Sequence, residues 1–311
     1  MVARHQRNHH GNRGTMLLFF IALLGIGIYG GTSFYNSRKI ISPISEVKKK
    51  QSSIFNLLHP QKNPDTLKTA IKNQIGDAWE NYSVYVVDFN SPFVMAINES
   101  TIFTAASVNK VPILAALYAE AQSGTINFDT VITLQEDDIQ DYGTGSIRYD
   151  PPGTTYTIKT LARLMMQKSD NTAAYLLANY TIGLDVVQKY VNGWGMTQTD
   201  MANNKTSNTD MAILFKKIMD KKITSPALSV EMLGFLKDSD FEDRLPALLP
   251  KDAIVYHKIG TGTGTVHDVG VVVHGDTEYY IGIFTSDITD EEQASTLAAE
   301  VSKTVYDFMV R

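Results

Sequence analysis

Beyond residue 62 the spacing of apolar positions changes along the chain and separates sheet-forming ends from a helical middle. The pattern predicts a helix around Asp65 to Asn81, then strands at Ser83 to Phe89 and Phe93 to Ile97. An apolar, β-rich stretch from Ile102 to Ala106 follows, and Val108 to Glu120 is an Ala/Leu-rich run with helical periodicity. Further helical patterns cover Ile158 to Gln167 and Thr172 to Asn179, and the mostly helical middle runs to about Leu249. Ala253 to His257, Val269 to His274 and Tyr279 to Thr285 then read as strands, and Glu291 to Met309 as a final helix. This order predicts an α+β fold: an antiparallel sheet completed by both chain ends, packed by terminal helices, with an all-helical lobe inserted. A cleft is expected at the seam between sheet and lobe.

The amino-terminal part follows a different pattern. No charged residue stands between Arg13 and Arg38, and the apolar run from Met16 to Tyr35 is long enough to cross a bilayer. Arg4, Arg7 and Arg13 flank it on the amino side, which predicts a cytoplasmic tail at 1–15, a single-pass anchor at 16–35 and an exported remainder. Arg38 and Lys39 on the far side act against that orientation. A cleaved signal peptide is the alternative, and the A-x-A pattern it would need is missing. Residues 36–62, with Ser, Lys, Gln and Pro60, read as a linker, leaving 63–311 as the extracytoplasmic domain.

Composition narrows the possibilities further. With no cysteine, the domain has no disulfide framework and must rely on its core. A net charge of -5 without a basic, aromatic-interleaved patch argues against nucleic acid as partner. The seven histidines show no metal-ligand spacing, so no metal or other cofactor is expected. His257, His267 and His274 lie on or beside strands, where neutral histidines are expected.

Three short strings carry the chemistry. Ser107-Val108-Asn109-Lys110 opens the Ala/Leu-rich helix, so Lys110 stands one turn from Ser107 on the same face and can reach the hydroxyl it must deprotonate. The helix start also offers a free Ser107 amide and a positive dipole end to an oxyanion. Ser45-Glu46-Val47-Lys48 has the same pattern, but lies among polar linker residues. Ser169-Asp170-Asn171 falls between two helices, and Lys258-Ile259-Gly260 continues a predicted strand whose edge could pair with an extended peptide. Gly260 is expected to let substrate approach closely.

Together the strings resemble the S-x-x-K, S-D-N and K-T-G set of class A β-lactamases and penicillin-binding proteins, which act by acyl transfer through a serine. The resemblance covers roughly residues 65 to 311 and implies roles. Ser107 is the nucleophile and Lys110 its base. Ser169 relays a proton to the leaving group, while Asn171 bonds Lys110 and the substrate amide. Asp170 is structural. The Thr261 amide is the second oxyanion donor, and Lys258 supplies charge for a substrate carboxylate and lowers the pKa of Lys110. Tyr142, in Tyr142-Gly143-Thr144-Gly145-Ser146-Ile147, forms one wall of the cleft.

Departures from the pattern matter as much. Ile259 replaces a hydroxyl that normally helps hold the carboxylate, although Thr261 lies on the same strand face. No arginine follows Lys258 until Arg311. Between Glu136 and Glu231 there is no glutamate, and the loop from Gly195 to Thr206, where class A enzymes carry their water-activating glutamate, has Asp200 as its only carboxylate. The expected protein is a membrane-anchored serine hydrolase acylated at Ser107 by β-lactams or D-alanyl stem peptides of peptidoglycan, and slow to deacylate. Two alternatives stand beside it. One is a true β-lactamase with another water activator, such as Asp200 or an Asn203/Asn204 arrangement; the other is a non-catalytic binding or sensor module.

Overall fold

The computed structural model describes residues 62–311. The expected tail, the anchor, the linker up to residue 61 and the Ser45 to Lys48 string lie outside them. Among the described residues no helix is long and apolar enough to cross a membrane.

Five antiparallel strands form the central sheet in the order β2-β1-β9-β8-β7. Strands β1 (Asn81–Asp88) and β2 (Val94–Ile97) come from the beginning of the domain. Strands β7 (Ile254–Gly262), β8 (Thr265–His274) and β9 (Thr277–Ser286) come from its end, so the two halves meet where β1 pairs with β9. The two-residue side-chain period is visible on β9. Tyr279, Ile281 and Ile283 enter one core, while Tyr280 and Phe284 enter the other.

The first core lies under helices α1 (Pro64–Ile75) and α8 (Glu291–Met309), whose Leu67, Ile71, Ile75, Ala298, Val301 and Val305 pack on the sheet. Helix α1 stops before the expected Asn81, because Gly76 leaves the helical conformation at φ 52° while its N–H still closes on the Lys72 carbonyl. The opposite face carries the helical lobe: α2 (Lys110–Ser123), α3 (Ile158–Gln167), α4 (Asn171–Leu176), α5 (Leu184–Gly193), α6 (Asn208–Met219) and α7 (Pro226–Gly234). Helix α4 runs on into a π-turn at Leu177–Ile182 before Gly183. Helix α2 is buried nearly all round, from Val111 to Tyr118, and is the axis of this core. A short strand, β3 (Ile102–Thr104), pairs with β6 (Lys205–Ser207) and delivers the chain to the start of α2, while β4 (Val131–Thr133) and β5 (Thr155–Thr157) pair within the lobe. The expected α+β arrangement, sheet ends plus inserted helical lobe, is the observed one.

Candidate active site

The turn Ala106–Asn109 is a 3-10 turn that leads directly into α2. Side chains three apart eclipse in a 3-10 turn, so Ser107 and Lys110 share one line, with Val108 and Asn109 turned to either side of it. Val108 faces β7: a Cβ on Gly260 would stand 3.0 Å from its Cγ2 and 2.8 Å from the Ala105 carbonyl oxygen. Gly260 is therefore required by the protein's own backbone before Ser107, rather than only by an approaching substrate. Asn109 faces the opposite wall and donates from Nδ2 to Asn204 Oδ1 at 2.9 Å, while the Ala105 amide donates to the Asn204 carbonyl at 2.8 Å. Ala106, just before Ser107, is held at φ 48°, a conformation costly for a residue with a Cβ.

Lys110 is buried, and its ammonium is surrounded by acceptors: Ser169 O at 2.6 Å, Asn171 Oδ1 at 2.8 Å and Ser169 Oγ at 3.3 Å. Ser169 can aim its carbonyl there because it adopts φ 50° between α3 and α4. Burial lowers the Lys110 pKa to about 7 against the opposing attraction of Asp170. Lys258 reaches the same hydroxyl, donating to Ser169 Oγ at 3.0 Å and to its neighbour's carbonyl, Ile259 O, at 3.2 Å. Burial, then repulsion from Lys110, pushes Lys258 well below the usual lysine range. With both lone pairs of Ser169 Oγ taken by the two lysines, its own O–H proton is left to point elsewhere.

Asp170 is structural, as the resemblance implied. Its carboxylate accepts the amides of Ser146 (2.6 Å), Ile147 (2.9 Å) and Ala173 (2.9 Å), capping α4 and anchoring the Gly-rich loop. A Cβ on Gly145 would meet Asp170 Cγ at 2.5 Å, and one on Gly143 would meet Asn171 Nδ2 at the same distance. Tyr142 accepts from Asn171 Nδ2 through its backbone carbonyl at 3.0 Å, and its ring is exposed beside the site.

Strand β7 is the sheet edge, and its free side faces the Ser107 turn. The His257 amide already points outward, to the Leu236 carbonyl, and amides two and four residues on share that direction. On β8, Val266 donates its N–H to Thr285 Oγ1 and accepts that hydroxyl's proton at its carbonyl, so both groups point away from its register partner Thr261. The Thr261 N–H is thus free on the open edge. The Ser107 N–H, in the first turn of its helix, has no intrahelical acceptor. These are two amide donors of the kind an oxyanion requires.

One side chain that the motif spacing did not bring to the site stands beside it. Arg244 precedes Lys258 instead of following it, and lies buried with Nη2 donating to Thr261 Oγ1 at 2.7 Å. Its Nη1 donates to His267 O (2.7 Å) and Gly260 O (3.4 Å), and its Nε to Ser295 Oγ (3.2 Å). Of its five N–H groups one is left, on the nitrogen that touches Thr261. Its nearest carboxylate, Asp243, is 3.7 Å away and half-exposed. The signal was present as a lone arginine in Phe241-Glu242-Asp243-Arg244-Leu245, but only the sheet reveals that this segment lies against β7 and β8. The neutral reading of His257 is also overturned. Burial alone would lower its pKa, but Asp268 and then Glu242 outweigh this and raise it to about 9.

Asp200 is tied within its own loop. Its carboxylate accepts the backbone and side-chain N–H groups of Asn203 at 3.0 and 2.8 Å, which hold its pKa below the ordinary value. Asn204, by contrast, is the loop residue that touches the Ser107 turn.

Residues 66–309 match the model of the beta-lactamase enzyme family. The chain belongs to that family. It is 24% identical over 283 residues to beta-lactamase VEB-1 of Pseudomonas aeruginosa, an alignment covering 83% of this chain and 95% of the relative. Among solved structures, PBP-A superposes with a TM-score of 0.72 at 27% identity, covering 78% of this chain and 95% of PBP-A. A mutant of PBP-A, solved as its acyl-enzyme complex with penicillin G, gives a TM-score of 0.73 at 26% identity over 80% of this chain and 98% of that one. As a member of the beta-lactamase enzyme family, the protein is a serine hydrolase.

Proposed function

We propose that Ser107 is acylated by β-lactams and by D-alanyl stem peptides of peptidoglycan, and that the acyl-enzyme is long-lived. The observation that carries the reading is Ser169 Oγ, shared by Lys110, which follows Ser107 by one turn, and by Lys258, on the strand that carries Thr261. Ser107 Oγ attacks the carbonyl carbon while its proton passes to the neutral amine of Lys110. The Ser107 and Thr261 amides hold the oxyanion. As the carbon–nitrogen bond breaks, Ser169 gives its proton to the departing nitrogen and takes one back from a lysine ammonium. The free N–H of Arg244, with the Thr261 hydroxyl, receives the substrate carboxylate and makes up for the hydroxyl absent at Ile259. Lys258, bonded inside the site, contributes to proton transfer more than to that carboxylate.

Release of the acyl group needs a base for water, and removing a positioned base typically costs about 10² to 10⁴ in rate. The 195–206 loop supplies only Asp200, each of whose carboxylate oxygens already accepts one N–H of Asn203. Fluorescent penicillin should therefore label the protein, and chromogenic β-lactam should give a burst of about one equivalent followed by slow turnover. Labelling that survives in Ser107→Ala would refute the nucleophile, and burst-free rapid turnover would favour an efficient β-lactamase with another water activator.

The apolar run at 16–35 supports anchoring of the 63–311 domain outside the cytoplasmic membrane, near peptidoglycan. Protease added to intact cells is expected to release the domain; protection until lysis would reverse the orientation.

A further inference from the structure

Beneath Arg244 runs a chain of charged side chains that the acyl-transfer scheme does not use. His257, fully buried on β7, has Nδ1 at 2.9 and 3.0 Å from the two carboxylate oxygens of Asp268 on β8. Its Nε2 faces Glu242 Oε1 at 3.5 Å. Asp268, itself fully buried, also accepts the Leu245 amide at 3.0 Å, and Glu242 accepts the Ser239 amide at 2.8 Å.

The segment that carries Arg244 is thus tied down on both sides of it. Glu242, two residues before, ends on His257; Leu245, one residue after, ends on Asp268. Strand β8 grips the arginine twice, since Asp268 holds the backbone beside it while the adjacent His267 carbonyl holds the guanidinium. An arginine side chain has enough rotatable bonds to lose its target if its backbone shifts, and its bond to Thr261 depends on the segment staying in place.

We propose that His257, Asp268 and Glu242 form a positioning network that sets where the Arg244 guanidinium lies, and thereby how strongly the site selects acyl donors bearing a carboxylate. The inference rests on the acylation of Ser107 proposed above. His257 is faced by Asp268 and Glu242, with Lys258 and Arg244 as the nearby cations and Asp243 half-exposed beyond. Its charged imidazolium supplies the central cation between two carboxylates, in a place where an unpaired buried carboxylate would be costly.

The test compares acylation by benzylpenicillin and by its methyl ester in the full chain, reading efficiency, half-saturation and limiting rate for each. Asp268→Asn should lower the acid-to-ester efficiency ratio by about tenfold or more, the scale of one hydrogen bond to a charged group. The loss should come from half-saturation by the acid, with ester acylation changed by less than about threefold. Glu242→Gln alters a half-exposed residue on the rim and should lower the ratio by about threefold. It carries the test if Asp268→Asn does not fold. Arg244→Ala should abolish the preference, and adding Glu242→Gln to it should lower the ratio no further. An unchanged ratio in folded Glu242→Gln, or equal losses for acid and ester, would overturn the proposal. A wild-type protein that takes neither compound at Ser107 would instead overturn the acylation reading, and the proposal with it.

Discussion

The backbone carbonyl of Ser169 accepts the Lys110 ammonium at 2.6 Å, and this bond exists because Ser169 adopts φ 50°. A strained residue at the junction of two helices thus fixes the ammonium of Lys110, the base proposed for Ser107. Lys110 must shed a proton to act, and its pKa of about 7 makes the neutral form accessible near neutrality.

Acylation should therefore rise with pH. Below about 7 Lys110 is charged and cannot take the Ser107 proton; above it the rate should level off. Second-order labelling by fluorescent penicillin, measured from pH 5 to 8.5, checks this. A profile without that limb would mean that Lys110 is not the base.

Gly260→Ala should impair acylation without touching any reacting group. The added Cβ would lie 2.8 Å from the Ala105 carbonyl, so either β7 or the Ser107 turn must move. Since a small misplacement of reacting groups can cost about 10² in rate, labelling should slow by a factor of that order. Thermal unfolding should show a folded protein with a lower Tm.

Asp200→Asn should leave decay of the acyl-enzyme unchanged within about twofold, because Asn203 holds the carboxylate within its own loop. Intact-protein mass measured over minutes after a penicillin pulse follows the decay directly. A tenfold or greater slowing would identify Asp200 as the water activator.

His267 predicts an acid-side loss of stability. Its Nδ1 accepts the Thr285 amide at 3.2 Å, which leaves Nε2–H to donate to Thr104 O at 2.9 Å and makes the ring neutral. Burial lowers its pKa to about 4, whereas an unfolded histidine titrates near 6.5. Between these values the unfolded chain binds the extra proton. Stability is intact above about 6.5 and falls as pH drops towards 4, by about 3 kcal/mol in all. Urea unfolding from pH 7 to 4 should show this slope, and His267→Gln should lack it. His257 acts in the opposite sense: its raised pKa, about 9, stabilises the fold below 6.5, and that contribution is lost as pH rises through 9.

Local chemistry made much of the protein legible. The Ser107 turn, the Ser169-Asp170-Asn171 junction, the Lys258 strand and α8 from Glu291 to Met309 depend on short-range spacing, periodicity and capping, and each stands where the pattern put it. The absence of a glutamate between Glu136 and Glu231 was likewise complete in the sequence. What tertiary structure alone decided is where distant segments meet. Arg244 joins Thr261, and Leu245 joins Asp268, only because the segment before β7 folds back along β7 and β8. The charge of His257 follows from Asp268 and Glu242, eleven and fifteen residues away along the chain, which packing brings to its two ring nitrogens. Spacing along a chain specifies which side chains share a face. Burial and long-range pairing set the electrostatic environment, and with it which groups are charged and which are free to act.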